Sequence, residues 1–145
     1  MTKKTEQDTR HSAFIVEDSP DFSGLLQFIL QGLGFEPLQF PLEGADIVEW
    51  AKKHKPVVIL MDLALKRKSG KEYVDELKAD AATRKIPIIV ITGRDLTQKE
   101  ILELKVRDVK YLRKGRVDLE EIRQEIRTSV GQPATTQPAG PGGTA

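Results

Sequence analysis

Five side chains able to handle a divalent cation and a phosphoryl group stand where apolar runs end. Glu17 and Asp18 follow Ile15-Val16, Asp62 follows Leu60-Met61, Thr92 follows Val90-Ile91, and Lys114 follows Leu112-Arg113. Crowded carboxylates repel, and at least one keeps its proton at neutral pH unless a cation intervenes. With no histidine or cysteine among them, the donors are all oxygen, which suits Mg²⁺ or Mn²⁺ far better than Zn²⁺. Such an ion can organise a reaction at Asp62, whose carboxylate would act as a nucleophile and form an acyl phosphate. The new anionic oxygens would then meet the Thr92 hydroxyl and the Lys114 ammonium. This chemistry needs the four run ends to share one small volume, which parallel strands of an open α/β sheet provide at their carboxyl edge.

The elements that must position these groups can be read in order. Ala13 to Val16, Val57 to Met61 and Ile86 to Ile91 are unbroken apolar runs, as in parallel strands covered by helices on both faces. Phe35 to Phe40 alternates and contains Pro37, which cannot donate to a ladder, and Val109 to Leu112 alternates too, so both read as edges. Two edge strands, second and fifth, around an interior of the first, third and fourth give the doubly wound α/β order 2-1-3-4-5. Between them, Ser19 with Pro20 opens a helix carrying Phe22, Leu25, Leu26, Ile29 and Leu33 at helical spacing. Thr97 with Glu100 and Asp118 with Glu121 are capping-box pairs ahead of two more helices. Shorter helices are expected over Ala45 to His54 and Lys71 to Lys78, with Trp50 and Tyr73 as core residues.

The chain has 145 residues, no cysteine and a net charge of +1. That length suits one domain with its own core, and the charge balance argues against wholesale nucleic-acid binding. Absence of cysteine removes disulfides and thiolate chemistry and fits a reducing compartment. No apolar run approaches the roughly 20 residues that span a bilayer, so a cytoplasmic protein without membrane contact is expected. Residues 1–12 and 131–145 are polar or rich in Pro and Gly and are expected to be disordered, leaving 13–130 as the domain. Bases cluster at Lys66, Arg67, Lys68 and Lys71 and again from Lys105 to Arg116, so basic loops are expected around the acidic pocket. His11 and His54 have no companions at metal spacing and read as surface residues.

The ordered set Ile15-Val16-Glu17-Asp18-Ser19-Pro20, Ile59-Leu60-Met61-Asp62-Leu63 with Leu65 and Gly70 beyond it, Ile86-Pro87 leading to Thr92-Gly93, and Tyr111-Leu112-Arg113-Lys114 resembles the receiver domain of two-component response regulators. The likeness runs from about Ala13 to Val130. It implies a flavodoxin-like (βα)5 fold, with Mg²⁺ held by Glu17, Asp18, Asp62 and the backbone carbonyl of Ala64. Asp62 would accept the phosphoryl group from the phosphohistidine of a sensor histidine kinase or phosphotransfer protein. Thr92 would follow that group inward, and Tyr111 would change rotamer. The face made by the fourth helix, fifth strand and fifth helix would then bind a downstream protein.

Three positions depart from the family pattern. Gly115 follows Lys114 where a proline is usual, Lys66 replaces the proline four residues beyond the acceptor, and Arg107-Asp108 replaces a small Gly-Ala turn. A trans bond is expected between Lys114 and Gly115, because a cis bond without proline costs about 3 kcal/mol. A phosphorylatable receiver standing alone is the leading reading; a receiver-fold interaction module independent of phosphorylation is the alternative. A phosphatase-type enzyme would want a second acid two residues after Asp62, where Ala64 stands, so no enzymatic turnover beyond slow loss of the phosphoryl group is expected.

Overall fold

The computed structural model describes residues 11–131. The ends expected to be disordered lie outside the described residues except for His11, Ser12 and Gly131. Five strands alternate with five helices: β1 Ser12–Val16, α1 Pro20–Gly32, β2 Glu36–Gln39, α2 Ile47–His54, β3 Val58–Met61, α3 Gly70–Ala79, β4 Ile88–Thr92, α4 Gln98–Val106, β5 Lys110–Arg113 and α5 Leu119–Ser129. The sheet runs β2-β1-β3-β4-β5, with every pairing parallel. This is the doubly wound (βα)5, flavodoxin-like architecture that the run pattern called for.

Burial explains the order. Every residue of β3 and β4 is buried, as an unbroken apolar run requires, whereas β2 and β5 contain no buried residue. Alternate side chains of the inner strands feed opposite layers. Phe14, Val16, Ile59, Met61, Ile88 and Val90 face Ile47 and Ala51 of α2, Tyr73, Val74 and Leu77 of α3 and Leu104 of α4. Ala13, Ile15, Val58, Leu60, Ile89 and Ile91 face Leu26, Ile29 and Leu30 of α1 and Ile122 and Ile126 of α5. Pro37 stands on the edge strand β2, opposite Ala13, where the sheet tolerates its missing donor.

Element boundaries shift by a residue or two where local chemistry intervenes. The first strand starts at Ser12, whose hydroxyl donates to the His54 carbonyl. Ile86 and Pro87 precede β4, and Thr92 closes it. The capping boxes at Thr97/Glu100 and Asp118/Glu121 form as expected, while α2 and α3 start behind the caps Asp46 and Ser69. Tyr73 is a core residue as expected, but Trp50 is only half-buried. His54 is not simply solvated: its ring lies 4.4 Å from that of Trp50 and 6.1 Å from that of Phe14, so three aromatic rings close the end of α2 over β1.

Gly70 opens α3 directly behind the end of β3. A Cβ there would fall inside contact distance of the Asp62 carbonyl oxygen and 2.7 Å from Leu63 Cα, both backbone atoms that cannot step aside. Gly70→Ala is therefore expected to lower stability by about 1–3 kcal/mol, the usual scale for overpacking. Urea unfolding measures it; a loss under half a kcal/mol would contradict the packing.

Candidate functional site

Strand register brings the sequence-separated groups together. Val16 pairs with Met61, so Glu17 and Asp62 leave adjacent strands side by side, and the Asp62 N–H donates to the Val16 carbonyl at 3.0 Å. Thr92 pairs with Arg113, which puts Lys114 one step beyond the sheet, its N–H donating to the Thr92 carbonyl at 2.9 Å. One carboxylate oxygen from each of Glu17, Asp18 and Asp62 lies within 4.8 Å of the other two. The Lys114 ammonium sits between two of these acids, 3.1 Å from Glu17 Oε1 and 3.3 Å from Asp62 Oδ2. Thr92 is fully buried, and its Oγ1 accepts from the Arg94 N–H at 3.3 Å.

Backbone donors orient the carboxylates. Ser19 N–H donates to Glu17 Oε2 at 3.1 Å, and Ala64 N–H donates to Asp62 Oδ1 at 3.1 Å. Asp18 Oδ2 accepts from the Lys66 N–H at 2.9 Å, a bond that the usual proline at this position could not make. Gln39 adds an amide donor to the Glu17 carbonyl at 2.9 Å. A cleft of about 630 Å³ opens beside the acids toward Gln39, Leu42, Leu65 and Lys66.

Burial of Glu17 raises its carboxyl above the ordinary value; the Asp62 charge adds to this, and bonds from Ser19 and Lys114 only partly offset it. Burial pulls the Lys114 ammonium down, but its bonds and charge contacts with Glu17 and Asp62 outweigh that and hold it above the ordinary lysine value. The cluster is thus a crowded acidic site with one protein cation, three of its oxygen-bearing side chains converging. Such a donor set fits a hard divalent ion, for which Glu17, Asp18 and Asp62 are the side-chain ligands on offer.

Around this pocket the departures from the family pattern have definite shapes. Gly115 has φ +82°, a conformation closed to proline, and no described peptide bond is cis. Asp108 has φ +61° at the end of α4, where Val109 N–H returns to the Leu104 carbonyl at 2.8 Å; glycine would sit there more easily. Tyr111 is half-buried against the layer that holds α2, α3 and α4. Sequence reasoning missed the Lys66 N–H and Gln39 bonds, since neither a backbone donor nor an edge glutamine leaves a pattern in the residue order. It also missed Phe22, whose ring centre lies 4.4 Å from Lys114 Nζ.

Comparison with known proteins points one way. The family model described as response regulator receiver domain matches residues 13–127. The polar-differentiation response regulator DivK of Brucella anthropi is 35% identical over 82 residues, covering 57% of this chain and 66% of that protein. The aligned segment thus spans a little under two thirds of that curated relative. Among solved structures, chemotaxis protein CheY4 of Vibrio cholerae aligns with TM-score 0.71 at 20% identity, over 83% of this chain and 99% of that one. The receiver domain of sensor histidine kinase PA1611 of Pseudomonas aeruginosa PAO1, solved with a magnesium ion coordinated in its active site cleft, aligns with TM-score 0.71 at 24% identity, over 86% of this chain and all (100%) of that one. At these identities the structural likeness concerns the fold.

The raised Glu17 carboxyl sets a pH dependence. Because the folded protein binds this proton more tightly than the unfolded chain, its stabilising contribution is full below about the ordinary value of 4.5 and is lost as pH rises through the higher folded value. Glu17→Gln keeps an oxygen for Ser19 but cannot ionise. In metal-free buffer at pH 7 it should melt above wild type, with the gap narrowing as pH falls toward 4.5. Calorimetric scans across that range check it, and a variant less stable than wild type at pH 7 would contradict the balance of charges described.

Proposed function

The chain belongs to the response regulator receiver domain family, a component of two-component signalling, and from that premise we propose that Asp62 accepts a phosphoryl group from a kinase phosphohistidine. The observation that carries this reading is the convergence of Glu17, Asp18, Asp62 and Lys114 at the carboxyl ends of β1, β3 and β5, with all three acids within one ion's reach.

The reaction is an exchange of one phosphorus bond for another. An Asp62 carboxylate oxygen attacks phosphorus, the P–N bond of the donor breaks, and its electron pair returns to the imidazole nitrogen. The Ala64 N–H fixes one Asp62 oxygen, which limits the carboxylate's rotation before attack. Lys114 releases Asp62 and pairs with the incoming phosphoryl oxygens, for which its ammonium is already in place. Thr92 offers its hydroxyl from the end of β4. A bound Mg²⁺, held by Glu17, Asp18, Asp62 and the Ala64 carbonyl, would supply charge to offset the oxygens gathered there.

Output would pass from this pocket to the α4–β5–α5 face. Tyr111 lies on β5, half-buried against the layer that holds α4, and Leu102 and Val106 leave apolar side chains exposed on α4, 60% and 79% accessible. A rotamer change of Tyr111 coupled to Thr92 would remodel a surface ready for a downstream protein. The sensor kinase or phosphotransfer protein would supply the phosphoryl group; nucleic acid has no place in this scheme. The functional unit is residues 13–130, acting in the cytoplasm as a phosphoacceptor with at most slow autodephosphorylation. Among the described residues, no helix is long and apolar enough to cross a membrane. The assembled pocket supports this reading over a phosphorylation-independent interaction module.

Intact-mass measurement after incubation with Mg²⁺ and acetyl phosphate tests the proposal. Wild type should gain the mass of one phosphoryl group and Asp62→Asn none. No gain by wild type, or an equal gain by the variant, would remove Asp62 from the role.

A further inference from the structure

We propose that Phe22 is a positioning residue for Lys114, its ring face holding the ammonium over the acceptor carboxylate; the proposal rests on the phosphoacceptor reading and adds a residue to it. The ring is placed by the same turn that places the acids. Ser19 donates its N–H to Glu17 Oε2 at 3.1 Å and accepts the Phe22 N–H on its hydroxyl at 3.4 Å. Phe22 is thereby fixed as the third residue of α1, and its ring centre lies 4.4 Å from Lys114 Nζ. Lys114 closes the circuit by returning to Glu17 at 3.1 Å. The ammonium therefore has carboxylates as hydrogen-bond acceptors and an aromatic face as a further electrostatic contact.

The loop that carries the lysine explains why such a support matters. Lys114 is followed by Gly115 at φ +82°, the most permissive residue type in a conformation that few others adopt. Its backbone is tied by the Lys114 N–H to Thr92 and by a turn in which Arg116 N–H donates to the Arg113 carbonyl at 3.1 Å. On the other side stands Gly93, which has no side chain, so even an added Cβ would only reach ordinary contact, 3.8 Å from the Lys114 stem. The ring of Phe22 supplies the lateral constraint that these two glycines do not. It does so without competing for hydrogen bonds, because a π face attracts the cation but accepts no strong bond from it. The ammonium can exchange a carboxylate for a phosphoryl oxygen while keeping its aromatic contact.

A double-mutant cycle separates this role from plain packing. Wild type, Phe22→Leu, Lys114→Ala and the double variant are titrated with beryllofluoride at saturating Mg²⁺, with ¹⁹F NMR reporting occupancy. Phe22→Leu keeps apolar cover but removes the π face, and should weaken the mimic about three- to tenfold, the scale of a partly exposed cation–π contact. In the Lys114→Ala background the same change should have little effect, and Phe22→Tyr should restore wild-type affinity. Equal losses in both backgrounds, no loss in Phe22→Leu, or no rescue by tyrosine would overturn the proposal. The same cycle read by urea unfolding of the metal-free protein needs no phosphoryl chemistry. Coupling there with no beryllofluoride binding by wild type would sink the phosphoacceptor reading, and the positioning role with it, while leaving the ring–lysine contact itself established. Absence of coupling in unfolding alongside normal binding of the mimic would sink the contact alone.

Discussion

Glu17 and Asp62 carry two carboxylates into a site where they are 3% and 5% exposed, and such burial needs a counter-charge at hand. Lys114 is that charge, 3.1 Å from one acid and 3.3 Å from the other. Its ammonium bridges β1, β3 and the end of β5, so the carboxyl edge of the sheet is joined across strands by electrostatics as well as by ladder bonds. One cation facing three acids leaves the site short of positive charge. Such a shortage is what a hard divalent ion would relieve.

The surrounding structure maintains this imbalance. Gly70 lets α3 start against the Asp62 backbone, so β3 can turn into the loop without displacement. Ser19 serves twice, as helix cap and as donor to Glu17, which ties the entry of α1 to the acidic cluster. Lys66 contributes through its backbone rather than its charge, its N–H held by Asp18 across the mouth of the pocket. Arg113, beside the lysine, turns the other way to Asp95 at 2.7 Å and so does not compete for the acids. The basic side chains near the pocket are largely occupied with acids of their own, Arg67 with Glu43, Lys68 with Glu76 and Arg94 with Glu100.

Much of this was legible in the residue order, and what was not has physical reasons. Unbroken apolar runs ending in Glu17, Asp62 and Thr92 reveal the interior strands, because parallel strands covered on both faces admit little else, and the alternating run before Lys114 adds the edge strand whose end meets theirs. Capping boxes read true because Thr97/Glu100 and Asp118/Glu121 satisfy local donors without help from elsewhere. His54, taken as a surface residue, lies tilted against Trp50 one turn back on α2 and edge-on to Phe14 of β1; the first is an ordinary helix neighbour, the second a tertiary contact with no local signal. The left-handed Asp108 replaces a glycine signal by a residue that only the folded turn places there. Phe22 looked like one more apolar residue of α1, and only the approach of β5 reveals the lysine above it.

The proposed chemistry requires that the acids at the ends of β1 and β3 form one divalent-ion site. Paramagnetic broadening by Mn²⁺ in a ¹⁵N-labelled sample locates such a site without any assumption about phosphoryl chemistry. Substoichiometric Mn²⁺ should first erase amide signals around Glu17, Asp18, Asp62 and Ala64, and Mg²⁺ should restore them. Broadening centred instead on the acidic groove of Asp46, Glu49, Glu76 and Asp80, or none at all, would contradict it.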